Sequence, residues 1–120
     1  MPSLTLLCRE QPGVTVIVVC GELDVTNRAQ FESFLGERPE PGRQVVLDLA
    51  QVPFMDSSGL HVLLAFSTDR LGRSGTVRLA GVQPLPARLL EITGVLTHVP
   101  VHDTVADAVA AARATTERSG

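Results

Sequence analysis

The chain has 120 residues, a length that fits one domain and leaves no room for a second core. Hydrophobic residues make up 44% and charged residues 19%, the balance of a globular chain and not of a disordered one. Ten basic against thirteen acidic residues give a net charge of −3, which excludes a nucleic-acid binder that works by phosphate neutralisation.

All the basic residues are Arg. The absence of Lys removes a phosphate-loop lysine and a Schiff-base lysine together. Trp and Tyr are absent as well, and Phe gives the only aromatic content at 3%, which argues against base stacking on aromatic platforms. The first residues, through Leu4-Thr5-Leu6-Leu7-Cys8, carry no basic leader and only a short apolar stretch, and predict no signal peptide. The longest apolar stretches, near Val14–Cys20 and Leu60–Phe66, are too short to span a membrane. A cytoplasmic location with no membrane partner is the expectation.

In chain order, Leu4–Arg9 and Val14–Cys20 read as two strands joined by a turn at Gln11-Pro12-Gly13. The second is almost wholly apolar and should be buried on both faces. In such a hairpin Cys8 falls opposite residue 15 or 16. Cys20 is then about four residues further on, on the order of 13 Å away at strand rise. That separation is too long for a disulfide, and two ordinary buried thiols are expected. A helix is predicted from about Thr26 to Glu37, with Ala29, Phe31, Phe34 and Leu35 as its apolar positions and Gly36 near its end.

Gln44–Ala50 reads as a strand, with Val45, Leu47 and Leu49 on one face and Val46, Asp48 and Ala50 on the other. Asp48 is expected to bond backbone at the strand end. Leu60, Leu63, Leu64 and Leu71 recur at helical spacing, and Gly72 suits the C-terminal cap. Thr76–Ala80 is a short strand. Pro84 and Pro86 open a further helix, where a missing N–H costs little, and Gly94 closes it. Val95–Val101 is predicted as a last strand, broken by Pro100. Asp103 is expected to cap an Ala-rich helix to about Thr115, with 116–120 frayed. Alternating strands and helices on short loops predict one α/β domain over 1–120, with a core over about 4–115. Its sheet is mixed and largely parallel, of four to five strands, and carries about four helices.

One segment stands out: Phe54-Met55-Asp56-Ser57-Ser58-Gly59-Leu60. A buried strand runs into a loop that presents a carboxylate and two hydroxyls where a helix begins. Such groups accept hydrogen bonds from the free N–H groups of a first helical turn. The bland reading makes Asp56, Ser57 and Ser58 caps and nothing more. A helix start also favours phosphate. A hydrolase reading fails. The nucleophile elbow needs Gly two residues before the serine, where this chain has Met55, and His61 on the following helix is poorly placed as a base. No zinc-ligand spacing and no Gly-rich phosphate loop are present, so no cofactor is expected. His61 itself reads as a partly exposed surface group or a local cap partner, with pH sensitivity as the sharper alternative.

The order Gly21-Glu22-Leu23-Asp24, Val45-Val46-Leu47-Asp48-Leu49, then Met55-Asp56-Ser57-Ser58-Gly59-Leu60 resembles the anti-sigma factor antagonists, built on the STAS domain, over roughly Leu4 to Ala112. Thr93-Gly94-Val95-Leu96 is similar to the family's third helix and the turn after it. The resemblance implies a bacterial partner-switching regulator and not an enzyme. In that scheme the unphosphorylated protein binds an anti-sigma factor serine kinase and releases the sigma factor. Phosphorylation of Ser57 reverses the binding, and a phosphatase restores it. The resemblance further implies partner contacts at Asp24, Asp56, Ser57, Ser58 and Gly59. The position of His61 departs from many relatives, which carry a small residue there. A STAS module of a stress-sensing or lipid-transport assembly, without serine phosphorylation, is the alternative. With the apolar positions accounted for by one sheet and its helices, a monomer is expected.

Overall fold

The computed structural model describes residues 4–39, 42–72, 76–94 and 99–119. Five strands form one sheet in the order β1 (Thr5–Gln11), β2 (Val14–Cys20), β3 (Gln44–Gln51), β4 (Val77–Ala80), β5 (Val101–His102). The β1–β2 pair is antiparallel and every other pair is parallel, the mixed sheet expected. Four helices complete the chain: α1 (Arg28–Glu37), α2 (Ser57–Gly72), α3 (Pro84–Thr93) and α4 (Val105–Ser119).

The alternation within the strands assigns the two faces. Ile17, Val19, Val45, Leu47, Leu49, Val77 and Leu79 face one core, which takes in Phe31 and Leu35 of α1, Leu60 and Leu63 of α2, and Leu90 of α3. Val14, Val16, Val46 and Ala80 face the other side, under Ala108, Val109 and Ala112 of α4. Three helices therefore cover one face and an Ala-rich helix covers the other. Small side chains let α4 lie close to the sheet, and β2 and β3 are buried on both faces as their composition requires.

Several local expectations are corrected. Cys8 pairs with Ile17, and Cys20 lies opposite Thr5. Both thiols are free and half-buried instead of fully buried. Burial, together with a hydrogen bond to Glu10 Oε1 at 3.5 Å, pushes the Cys8 thiol pKa up. Helix α1 starts at Arg28, not Thr26, because side-chain bonds hold residues 24–27 in turns. Its first turn closes with the Phe31 N–H on Asn27 O at 3.1 Å. Gly36 lies inside the helix, Ala29 is exposed, and Arg38 forms the C-cap. The predicted strand at 95–101 contributes only Val101 and His102 to the sheet, and 95–98 lie outside the described residues.

Thr104, not Asp103, caps α4, its Oγ1 accepting the Asp107 N–H at 3.1 Å. Helix α4 extends to Ser119, past the expected end near Thr115. Gly94 does close α3, in the left-handed conformation that favours Gly, with φ 77°. Among the described residues no helix is long and apolar enough to cross a membrane.

Candidate functional site

The segment from 51 to 60 is held by backbone pairing that extends beyond the sheet. A register shift between Val18 and Cys20 sets Cys20 opposite Gln51, so the end of β2 advances along β3. The Gly21 N–H then bonds Gln51 O at 3.0 Å. Past the sheet the two segments run on side by side, and Met55 forms an isolated parallel bridge with Leu23. The Leu23 N–H donates to Phe54 O at 3.1 Å and the Asp56 N–H to Leu23 O at 3.0 Å. One residue beyond this bridge on each segment stands a carboxylate, Asp24 on one and Asp56 on the other. Leu23 and Met55 are both buried, so a hydrophobic peg fastens the polar corner above it.

Asp56 is the N-cap of α2. Its carbonyl accepts the Leu60 N–H at 3.2 Å, and its Oδ1 accepts the N–H of Ser58 at 2.8 Å and that of Gly59 at 3.4 Å. The helix begins at Ser57, and both serines belong to its first turn. The expected sharing of the free N–H groups among three side chains is not observed. The carboxylate takes this role by itself. Ser57 is exposed, Ser58 is half-buried and Gly59 is buried. The Ser57 hydroxyl has no hydrogen-bond partner among the described residues.

Gly59 sits where the helix crosses the peg. A Cβ at this position would lie 2.9 Å from Leu23 Cβ and 2.9 Å from Met55 Cγ. No side chain fits without displacement, so glycine here is a requirement of close approach.

Asp24 is not a simple exposed contact. Its Oδ1 accepts the Thr26 N–H at 2.9 Å and the Thr26 hydroxyl, while its own N–H donates to Asn27 Oδ1 at 3.1 Å. The Asn27 amide in turn bonds Glu22 O at 2.7 Å. The Thr26 hydroxyl, helped by the N–H groups of Thr26 and Asn27, holds the Asp24 carboxyl below the usual carboxylate range. Asp48 bonds the Ala50 N–H at 3.1 Å, the backbone role expected of it. His61 is exposed, one turn beyond Ser57.

The sequence reading missed a set of exposed apolar side chains. Val25, Phe54, Leu85 and Ile92 are exposed, on the loops after β2 and β3 and along α3. The loop after β4 joins the same end of the sheet, where Gln83 Nε2 donates to Ala50 O at 2.8 Å. Leu85 and Ile92, seven positions apart, share one side of α3. Ile92, expected with Leu89 and Leu90 among the apolar positions of this helix, is turned to the surface. Val25 and Phe54, next to the Leu23–Met55 bridge in sequence, set exposed apolar side chains beside the polar, serine-bearing corner.

The fold and the motif together define a class. A family model for the STAS domain matches residues 6–108, and the chain belongs to the STAS-domain family. The Anti-sigma F factor antagonist of Paenibacillus polymyxa is 31% identical over 111 residues, covering 89% of this chain and 93% of that protein. The Anti-sigma-F factor antagonist RsfB of Mycobacterium tuberculosis is 33% identical over 92 residues, covering 73% of this chain and 75% of RsfB. Among solved structures, an anti-sigma factor antagonist from Mycobacterium paratuberculosis superposes with a TM-score of 0.84 at 30% identity, covering 92% of this chain and 95% of that one.

The cap gives a first prediction. Asp56→Ala is expected to lower stability by about 1 kcal/mol, the usual loss for an N-cap carboxylate. Asp56→Asn retains an acceptor and should stay close to the parent. Urea unfolding of the three proteins measures the difference. An alanine variant as stable as the asparagine variant would show that the cap bonds contribute nothing.

Proposed function

We propose that the chain is an anti-sigma factor antagonist controlled by phosphorylation of Ser57. In this reading the unphosphorylated protein binds an anti-sigma factor serine kinase through the corner of Asp24, Asp56, Ser57, Ser58 and Gly59, and the sigma factor is released. The kinase ends the contact by transferring the γ-phosphoryl group of ATP to Ser57 Oγ, with loss of the hydroxyl proton and release of ADP. A phosphatase hydrolyses the phosphoserine and restores the binding form. The protein acts in the cytoplasm as binding partner and kinase substrate, not as an enzyme. The names of the relatives support the antagonist role.

The observation that carries the serine assignment is the division of labour in the first turn of α2. Asp56 engages the N–H groups of Ser58 and Gly59, while Ser57 stands exposed with its hydroxyl unengaged. An incoming kinase therefore breaks no bond to reach it. Ser58, half-buried, is the poorer acceptor.

The protein is to be incubated with ATP and each serine kinase of its source organism that carries an anti-sigma-type domain, followed by mass mapping. One phosphate on Ser57 is expected. Modification of Ser58, or of neither serine with any of these kinases, would overturn the assignment.

A further inference from the structure

Phosphate on Ser57 needs donors, and the nearest backbone ones are already engaged. The N–H groups of Ser58 and Gly59 bond Asp56 Oδ1 at 2.8 and 3.4 Å. Neighbouring side chains are the other source of donors. His61 lies four residues along α2 from Ser57, where Cβ atoms are about 5–6 Å apart on one helix face. Helical side chains lean toward the N-terminus, so the His61 side chain inclines toward Ser57. Both residues are exposed.

His61 also lines an open groove between α1 and α2, shared with Arg28, Leu64, Ala65, Thr68 and Asp69. Arg28, the first residue of α1, brings a guanidinium to this groove. Its ion pair with Glu32 is long, 3.9 Å, and its side chain is 46% exposed against 60% for Glu32. A solvated pair of this kind holds weakly and leaves the guanidinium able to turn. The acidic end of the groove is remote: Asp69 lies twelve residues along α2 from Ser57, about 18 Å at helical rise. The charged groups near His61 are Arg28 and Glu32 on α1 and Asp69 further along α2, with Asp56 and Asp24 at the corner that bears Ser57.

We propose that His61 and Arg28 form a cationic clamp for the phosphate of phosphoserine 57, a feature of this chain that stabilises its phosphorylated state. The inference rests on the reading of Ser57 as the modified residue. A phosphomonoester loses its second proton near pH 6. A cation beside the phosphate favours the dianion, so the clamp lowers the midpoint of that second ionisation.

The test places phosphoserine at position 57 during translation, so that no kinase is needed, and follows the phosphate by phosphorus NMR against pH. The midpoint in His61→Ala is expected roughly 0.2–0.4 pH unit above that of the parent. Arg28→Ala should shift it in the same direction, and His61→Arg should return it to the parent value or below. Equal midpoints in the parent and His61→Ala, or a His61→Arg midpoint as high as that of alanine, would overturn the clamp. Failure of every kinase to modify Ser57 would overturn the proposed function while leaving this readout intact. A kinase-competent Ser57 with no midpoint shift would overturn the clamp alone.

Discussion

Phosphorylation of Ser57, or Ser57→Asp, should weaken binding to the cognate anti-sigma kinase by about 2–4 kcal/mol, roughly 30- to 1,000-fold in Kd. Phosphate adds roughly −1.5 to −2 charges at neutral pH. It would stand beside the Asp56 carboxylate and near Asp24, at a surface that a partner must approach and desolvate. An unpaired charge buried there is costly. The domain itself should tolerate the modification. Ser57 is exposed and makes no hydrogen bond among the described residues, so nothing in the fold is lost. The helix dipole favours the new charge at this end, while Asp56 opposes it. Ser57→Ala should bind as tightly as the unmodified protein and resist release. Calorimetric titration with ADP present, together with thermal melts, tests both halves. Equal affinity for the two forms, or a collapse of Tm on phosphorylation, would refute a mechanism based on surface charge.

The second large effect is expected at Gly59. Gly59→Val should destabilise the fold by about 3 kcal/mol or more, and Gly59→Ala by about 1–2 kcal/mol. Alanine gains roughly 1 kcal/mol of helix propensity over glycine. Against this stands a Cβ placed 2.9 Å from both Leu23 and Met55, two buried side chains. Overpacking of this kind typically costs about 1–3 kcal/mol. The Leu23 contact is to its Cβ, which cannot swing aside as a side-chain tip can. Separation of the Leu23–Met55 peg would also carry Asp24 away from Asp56, so kinase affinity should fall with stability. Gly36 supplies the control. It lies in the interior of α1, and a Cβ there meets nothing within 4 Å. Gly36→Ala should therefore stabilise by up to about 1 kcal/mol. Chemical denaturation of the three variants decides the matter. Gly59 and Gly36 variants that respond alike would show that the close approach is not real.

Both expectations depend on relations that no local pattern carries. Gly59 reads as an ordinary glycine near a helix start until Leu23, far away in sequence, is brought beneath it. The pairing of Asp24 with Asp56 likewise follows from the register shift at the end of β2 and the Leu23–Met55 bridge.

What the sequence determined by itself was the order and type of the elements, since the apolar content and alternation of β2 and β3 and the helical spacing of Leu60, Leu63 and Leu64 are local signals. The same patterns marked Asp56-Ser57-Ser58-Gly59 as a helix start, and the resemblance drawn from this motif was to the family to which the chain belongs. Only the tertiary structure decided which of the three polar side chains caps α2 and which stays free, because aspartate and serine compete for the same N–H groups and the Leu23–Met55 bridge sets where the chain enters the helix. It decided where α1 and α4 begin, since Asn27 and Thr104 prevail over their neighbours through backbone geometry invisible in composition. It also decided the exposure of Val25, Phe54, Leu85 and Ile92. Hydrophobicity specifies that a residue can be buried, but the number of apolar side chains a finite core accommodates is set by packing, and those left over stay at the surface.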